Sequence, residues 1–140
     1  MPAETKLAEF VAAQDTVYDR VLRELAGGHK ETHWMWFVFP QLAGLGSSPL
    51  SQKFGIASQA EARSYMDHEV LGPRLLECTR LMLAAPTSDI LSILDYPDDL
   101  KFRSCMTLFA AVAPEEPLFD EALQKFFGGE RDPLTLELLQ

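Results

Sequence analysis

The segment Lys30-Glu31-Thr32-His33-Trp34-Met35-Trp36-Phe37-Val38-Phe39-Pro40-Gln41, followed by Leu45-Gly46-Ser47, holds the chain's densest set of side chains able to do chemistry. A lysine supplies a fixed positive charge, and an imidazole changes protonation near neutral pH. An indole offers a flat face to a cation or a ring. If 30–38 were helical, Lys30, His33 and Trp34 would share one face, and together could hold an anion, carry a proton and stack on a ring. The glycines after Gln41 can bring backbone N–H groups close to a phosphate. The candidate ligand residues are therefore Lys30, His33, Trp34, Trp36, Gln41 and Gly46, joined by Lys101 if the helix carrying it faces this segment. His33 is the candidate proton carrier, since it alone sits beside both a cation and aromatics. The spacing matches neither a P-loop nor a dinucleotide fingerprint.

A plainer reading competes for most of these side chains. Consecutive apolar residues usually form the middle of a core, which suits Met35, Phe37 and Val38. Trp34, Trp36 and His33 are less decided, because a polar-tipped ring at a loop edge often faces a groove. Gly44 and Gly46 also serve as turn formers. A second candidate lies in Pro97-Asp98-Asp99-Leu100-Lys101-Phe102-Arg103, where Asp98 and Lys101 are three residues apart. Carboxylates there are expected mainly to stabilise a helix N-terminus.

The remaining candidates carry less. His29 and His68 have no His, Cys or carboxylate at ligand spacing, so no metal site and no cofactor are expected. Ser47, Ser48 and Ser104 lack the setting of a hydrolase elbow. Cys78 and Cys105 match no redox or zinc spacing, and each falls in an apolar stretch, so buried reduced thiols are expected.

The elements that must position these residues read as helices. Leu7, Phe10, Val11, Tyr18, Val21, Leu22 and Leu25 recur at helical spacing and predict one long amphipathic helix stopped by Gly27-Gly28. Any helix through Trp34 to Phe39 must end before Pro40. Ser48-Pro49 can open a short helix, and Ser58-Gln59-Ala60-Glu61 has the form of a capping box for a helix ending near Met66. Gly72-Pro73 marks the boundary or first turn of the next, with Leu75, Leu76, Leu81, Met82 and Leu83 among its apolar positions. Thr87 is the expected cap of a short helix over Ser88 to Leu94. Pro97, Pro117 and Pro133 are expected in the first turns of the last three. No strand-like alternation runs for six residues between turn signals. The expectation is an all-α fold, a single helical domain over 1–140 with about seven or eight short helices.

Composition sets outer limits. The chain has 140 residues and a formal charge of −9, enough for one core and too acidic to wrap a nucleic acid or bind an anionic membrane through clustered cations. No apolar run is long enough to span a bilayer. The start lacks the basic and apolar regions of a signal peptide, and no Asn is present for N-glycosylation. A cytoplasmic protein is expected.

The stretch from His33 through Phe39-Pro40-Gln41 to Gly46-Ser47 resembles the signature of a bacterial family of uncharacterised proteins, domain-of-unknown-function family 1810. The resemblance extends to Glu61-Ala62 with Tyr65, to Leu71-Gly72-Pro73-Arg74-Leu75, to 101–109 and to Gly128-Gly129 with Asp132-Pro133. It implies a mainly helical single domain and no reaction. Thr32 stands where the family usually has Ser, Phe54 where it has Tyr, Glu69 where it has His-Pro and Cys105 where it has a second Ser. These departures argue against any role needing a hydroxyl at positions 54 or 105. Some members carry the label calpastatin, an inhibitor that is long, disordered and repetitive; an apolar-rich, unrepeated chain does not fit it. Around 101–109 and 123–132 the chain is also faintly similar to a superfamily of helical N-glycosidases acting on ADP-ribose-like nucleotides.

Two functional expectations follow. The first is a small anionic, nucleotide-like ligand bound, and in the stronger version hydrolysed, at the Lys30–Gly46 segment. The second is a non-enzymatic interaction module or homodimer in which the Trp34–Phe39 aromatic ridge meets a partner. A cleft containing His33 and Trp36 favours the former, a flat exposed ridge the latter.

Overall fold

In the computed structural model, which describes residues 3–139, helices α1 (Ala3–Asp15) and α2 (Tyr18–Ala26) are followed by the short α3 (Met35–Val38), α4 (Pro49–Lys53) and α5 (Gln59–Asp67). Then come α6 (Leu71–Ala84), a 3₁₀ turn at Ile90–Ser92, α7 (Asp98–Val112), α8 (Leu118–Phe127) and α9 (Pro133–Leu138). Nine α-helices exceed the expected seven or eight among the described residues, because the first long helix is two helices and the shortest pieces count separately. The one β feature among the described residues is an isolated parallel bridge between Leu42 and Ile56.

α7 is the centre of the fold. Phe102, Cys105, Met106, Leu108 and Phe109 are all completely buried, which wraps apolar surface around most of the helix, as a core helix requires. Two of its buried hydroxyls are satisfied, while Asp99 Oδ1 is buried with no hydrogen-bond partner among the described residues. Ser104 Oγ donates to Leu100 O, and Thr107 Oγ1 donates to Arg103 O while accepting from Asp132 N. α8 shows Phe119, Ala122, Leu123 and Phe126 at i, i+3, i+4 and i+7 on its buried face. α5, α8 and α9 pack on α7, and α6 lies against α2, α5 and α8. Cys78 and Cys105 are free and buried, as expected.

The caps were legible where a hydroxyl or carboxylate meets a helix start. Ser48 Oγ accepts from Ser51 N, Ser58 Oγ from Glu61 N and Asp132 Oδ2 from Thr135 N. Glu61 reaches back one residue further than a capping box would, to Ala57 N. Three expectations fail. The predicted long first helix breaks at Thr16-Val17, where Gln14 turns inward so that its Nε2 donates to Phe37 O and to the Tyr65 hydroxyl. The Thr87-capped helix shrinks to the 3₁₀ turn, whose cap is Asp89 (Leu91 N donates to its Oδ1) while Thr87 Oγ1 takes Asp89 N. Pro97 and Pro117 stand one place before the first turn, as caps.

Candidate functional site

The loop between α2 and α3 is shaped by one side chain. Glu24, in the last turns of α2, accepts at Oε1 from Glu31 N (2.7 Å), Thr32 N (3.0 Å) and Trp34 Nε1 (3.0 Å), and at Oε2 from Thr32 Oγ1 (2.6 Å). Burial alone would push this carboxyl up, but the donors of Thr32, Glu31 and Trp34 outweigh it and hold the pKa at about 2. Lys30 N donates to Ile93 O, which ties the loop to the 3₁₀ turn. Residues 30–34 form no helix. The shared helical face expected for Lys30, His33 and Trp34 does not exist.

Lys30 and Lys101 nevertheless converge, through Asp98. Lys30 Nζ lies 2.8 Å from Asp98 Oδ2 and Lys101 Nζ 3.7 Å from Asp98 Oδ1. The Lys30 side chain is only 8% exposed and the Lys101 side chain 22%. Lys101 Nζ also sits 4.9 Å from the centre of the Trp36 ring, and Lys30 Nζ 5.2 Å from that of Trp34. These groups form one end of a cleft of about 320 Å³ lined by Lys30, His33, Trp36, Tyr96, Asp98 and Lys101, among others. Beneath Trp36 a cavity of about 10 Å³ is bounded by Trp36, Gln41, Ser51 and Lys101, roughly the space of one water. Trp36 Nε1 is buried with no hydrogen-bond partner among the described residues.

Lys30, His33, Trp36 and Lys101 therefore share the cleft, and Gln41 borders the small cavity behind it. Trp34 does not belong: it is fully buried and its N–H is committed to Glu24, so it offers no face to a ligand. Gly46 packs closely against α4. A Cβ there would come within 2.5 Å of Ser51 Oγ, so the glycine lets the loop lie against α4. Of the Trp34–Phe39 ridge, Trp34, Met35, Val38 and Phe39 are at most 2% exposed, while Trp36 and Phe37 are partly exposed. Phe54 and Cys105 are core residues.

Sequence reasoning missed Tyr96, 74% exposed at the cleft, and gave Asp98 only a capping role. Adjacency of Tyr96 to Asp98 was a usable signal; nothing local marked Glu24. His29 Nε2 lies 3.5 Å from Asp95 Oδ2 at the rim, and His68 Nδ1 accepts from Val70 N and Leu71 N at the start of α6. Among the described residues no group of His, Cys, Asp or Glu is arranged to hold a metal, and no helix is long and apolar enough to cross a membrane. Other depressions are larger. One of about 410 Å³ is lined by Arg20, Arg23, Glu24 and His29, and one of about 710 Å³ by Pro114, Pro117 and Asp120. Neither combines a buried cation with an aromatic platform.

Comparison with known proteins agrees with the helical architecture. The chain is similar to the conserved hypothetical protein Rv1873 from Mycobacterium tuberculosis, a crystal structure, with 50% identity, a TM-score of 0.94 and 95% of each chain covered. No curated protein matches. The family described as "Protein of unknown function (DUF1810)" matches residues 4–139, and the chain belongs to it.

Proposed function

We propose that the protein binds a small ligand that joins an anionic group to a flat ring, in the cleft between the 30–36 segment and the start of α7. The observation that carries this reading is the meeting of Lys30 and Lys101 at Asp98. Two cations lean on one carboxylate, so the pair has donor capacity left for a second anion. Lys101 is the more exposed and the more loosely held of the two, and is the one free to turn to a ligand. Because Lys101 already covers a face of Trp36, the ring open for stacking is that of Tyr96. His33, exposed on the same cleft, would carry the proton if the ligand is turned over.

The test is a thermal-shift screen of the purified protein against nucleotides, ADP-ribose, NAD and phosphorylated metabolites. A ligand at a hundred times its Kd adds ~2.7 kcal/mol, several degrees in a domain of this size. The shift should vanish in Lys101→Ala and Tyr96→Ala. Lys30→Ala is the poorer control, because removing a buried lysine strands Asp98 and costs stability whatever the site does. A screen with no shift for any of these anions refutes the reading.

A further inference from the structure

We infer that the cleft takes a ligand with a single compact anionic group, a phosphate monoester or a carboxylate, and turns away oligophosphates. This deepens the proposed ligand site and rests on it. At the floor, Lys30 and Lys101 share Asp98, which leaves a surplus of one positive charge. The tighter contact, 2.8 Å, commits Lys30 to Asp98; the looser one, 3.7 Å, leaves the surplus on Lys101 beside Trp36. The same cleft is also lined by Glu31 and Asp95. Glu31 is exposed, and the Asp95 side chain is 74% exposed with only His29 at 3.5 Å as a partner. A carboxylate at Lys101 neutralises the surplus, and a phosphate monoester, at about −1.5 to −2, already exceeds it. A further phosphate held in the same cleft meets Glu31 and Asp95, which line it, and Asp98, which the two lysines already share. A like-charge pair about 4 Å apart weakens binding roughly fivefold even with the full screening of water.

An ordinary cationic site prefers the more highly charged anion, so the order of affinities separates the two cases. The ¹⁵N-labelled full chain is titrated at low ionic strength, with EDTA present, against inorganic phosphate, pyrophosphate and tripolyphosphate. The readout is the Trp36 indole N–H signal, assigned by its loss in Trp36→Phe. Phosphate should bind at least fivefold more tightly than tripolyphosphate. The order should reverse in the doubly substituted Glu31→Gln/Asp95→Asn protein, whose changes are at exposed side chains and leave the fold intact. Tripolyphosphate binding most tightly to the unaltered protein, or an order unchanged by the double substitution, overturns the inference and leaves an anion site in place. No perturbation of the Trp36 signal by any of the three overturns the anion site itself.

Discussion

Glu24→Gln isolates the part of the structure that builds the cleft's loop. The carboxylate accepts four hydrogen bonds from three loop residues, Glu31, Thr32 and Trp34, and Gln can accept at only one oxygen. A carboxyl held at about 2 against an ordinary 4.5 corresponds to at most about 3 kcal/mol of linked stability. The group is only half-buried, so solvent screening brings this to roughly 2 kcal/mol. Losing it should lower the midpoint of thermal unfolding by about 6–10 °C. The sign with pH is fixed. The native pKa is depressed, so the contribution is complete above about 4.5 and fades as pH falls from 4.5 toward 2. Urea unfolding of the parent and the variant, followed by tryptophan emission, should show the full gap at pH 7 and less than half of it at pH 3. A gap under about 0.5 kcal/mol at pH 7, or one equally large at both pH values, refutes the view that the charged Glu24 holds the loop.

Other expectations are simpler. Trp36→Phe removes a buried N–H that has no partner, so stability in urea should stay level or rise, whereas an ordinary loss of aromatic packing would lower it. Gly72→Ala puts a Cβ about 2.1 Å from Met66 O, a clash with backbone that cannot step aside. It should cost about 3 kcal/mol in the same assay. Burial pushes the Cys78 thiol up to about 12 and the Cys105 thiol well above its ordinary value. A thiol reagent at pH 8 should therefore label both only after urea is added; labelling of the native protein would contradict their burial.

Much of the fold is written locally. The helix starts at Ser48-Pro49, Ser58 and Asp132-Pro133 and the stop before Pro40 all depend on neighbours within a few residues, and they fell where capping and proline chemistry put them. The first helix misled because its apolar period continues through Thr16-Val17. The break there is imposed by Gln14 reaching Phe37 and Tyr65, partners far along the chain.

The site divides in the same way. Residue types in 30–41 were enough to nominate Lys30, His33 and Trp36, because a cation, an imidazole and an indole have their chemistry wherever they stand. Whether each would face solvent, core or a partner charge could not be read there. Trp34 and Trp36 are two residues apart, yet one is sealed against Glu24 and the other borders a cleft. Asp98, read as a helix-terminal carboxylate, becomes the joint between two lysines only because packing brings the start of α7 to the loop after α2. Sequence alone determined most of the helix starts and which side chains are available, since those follow from interactions over one or two turns. The tertiary structure decided which of them meet, since burial and charge pairing depend on distances that only the packed core sets.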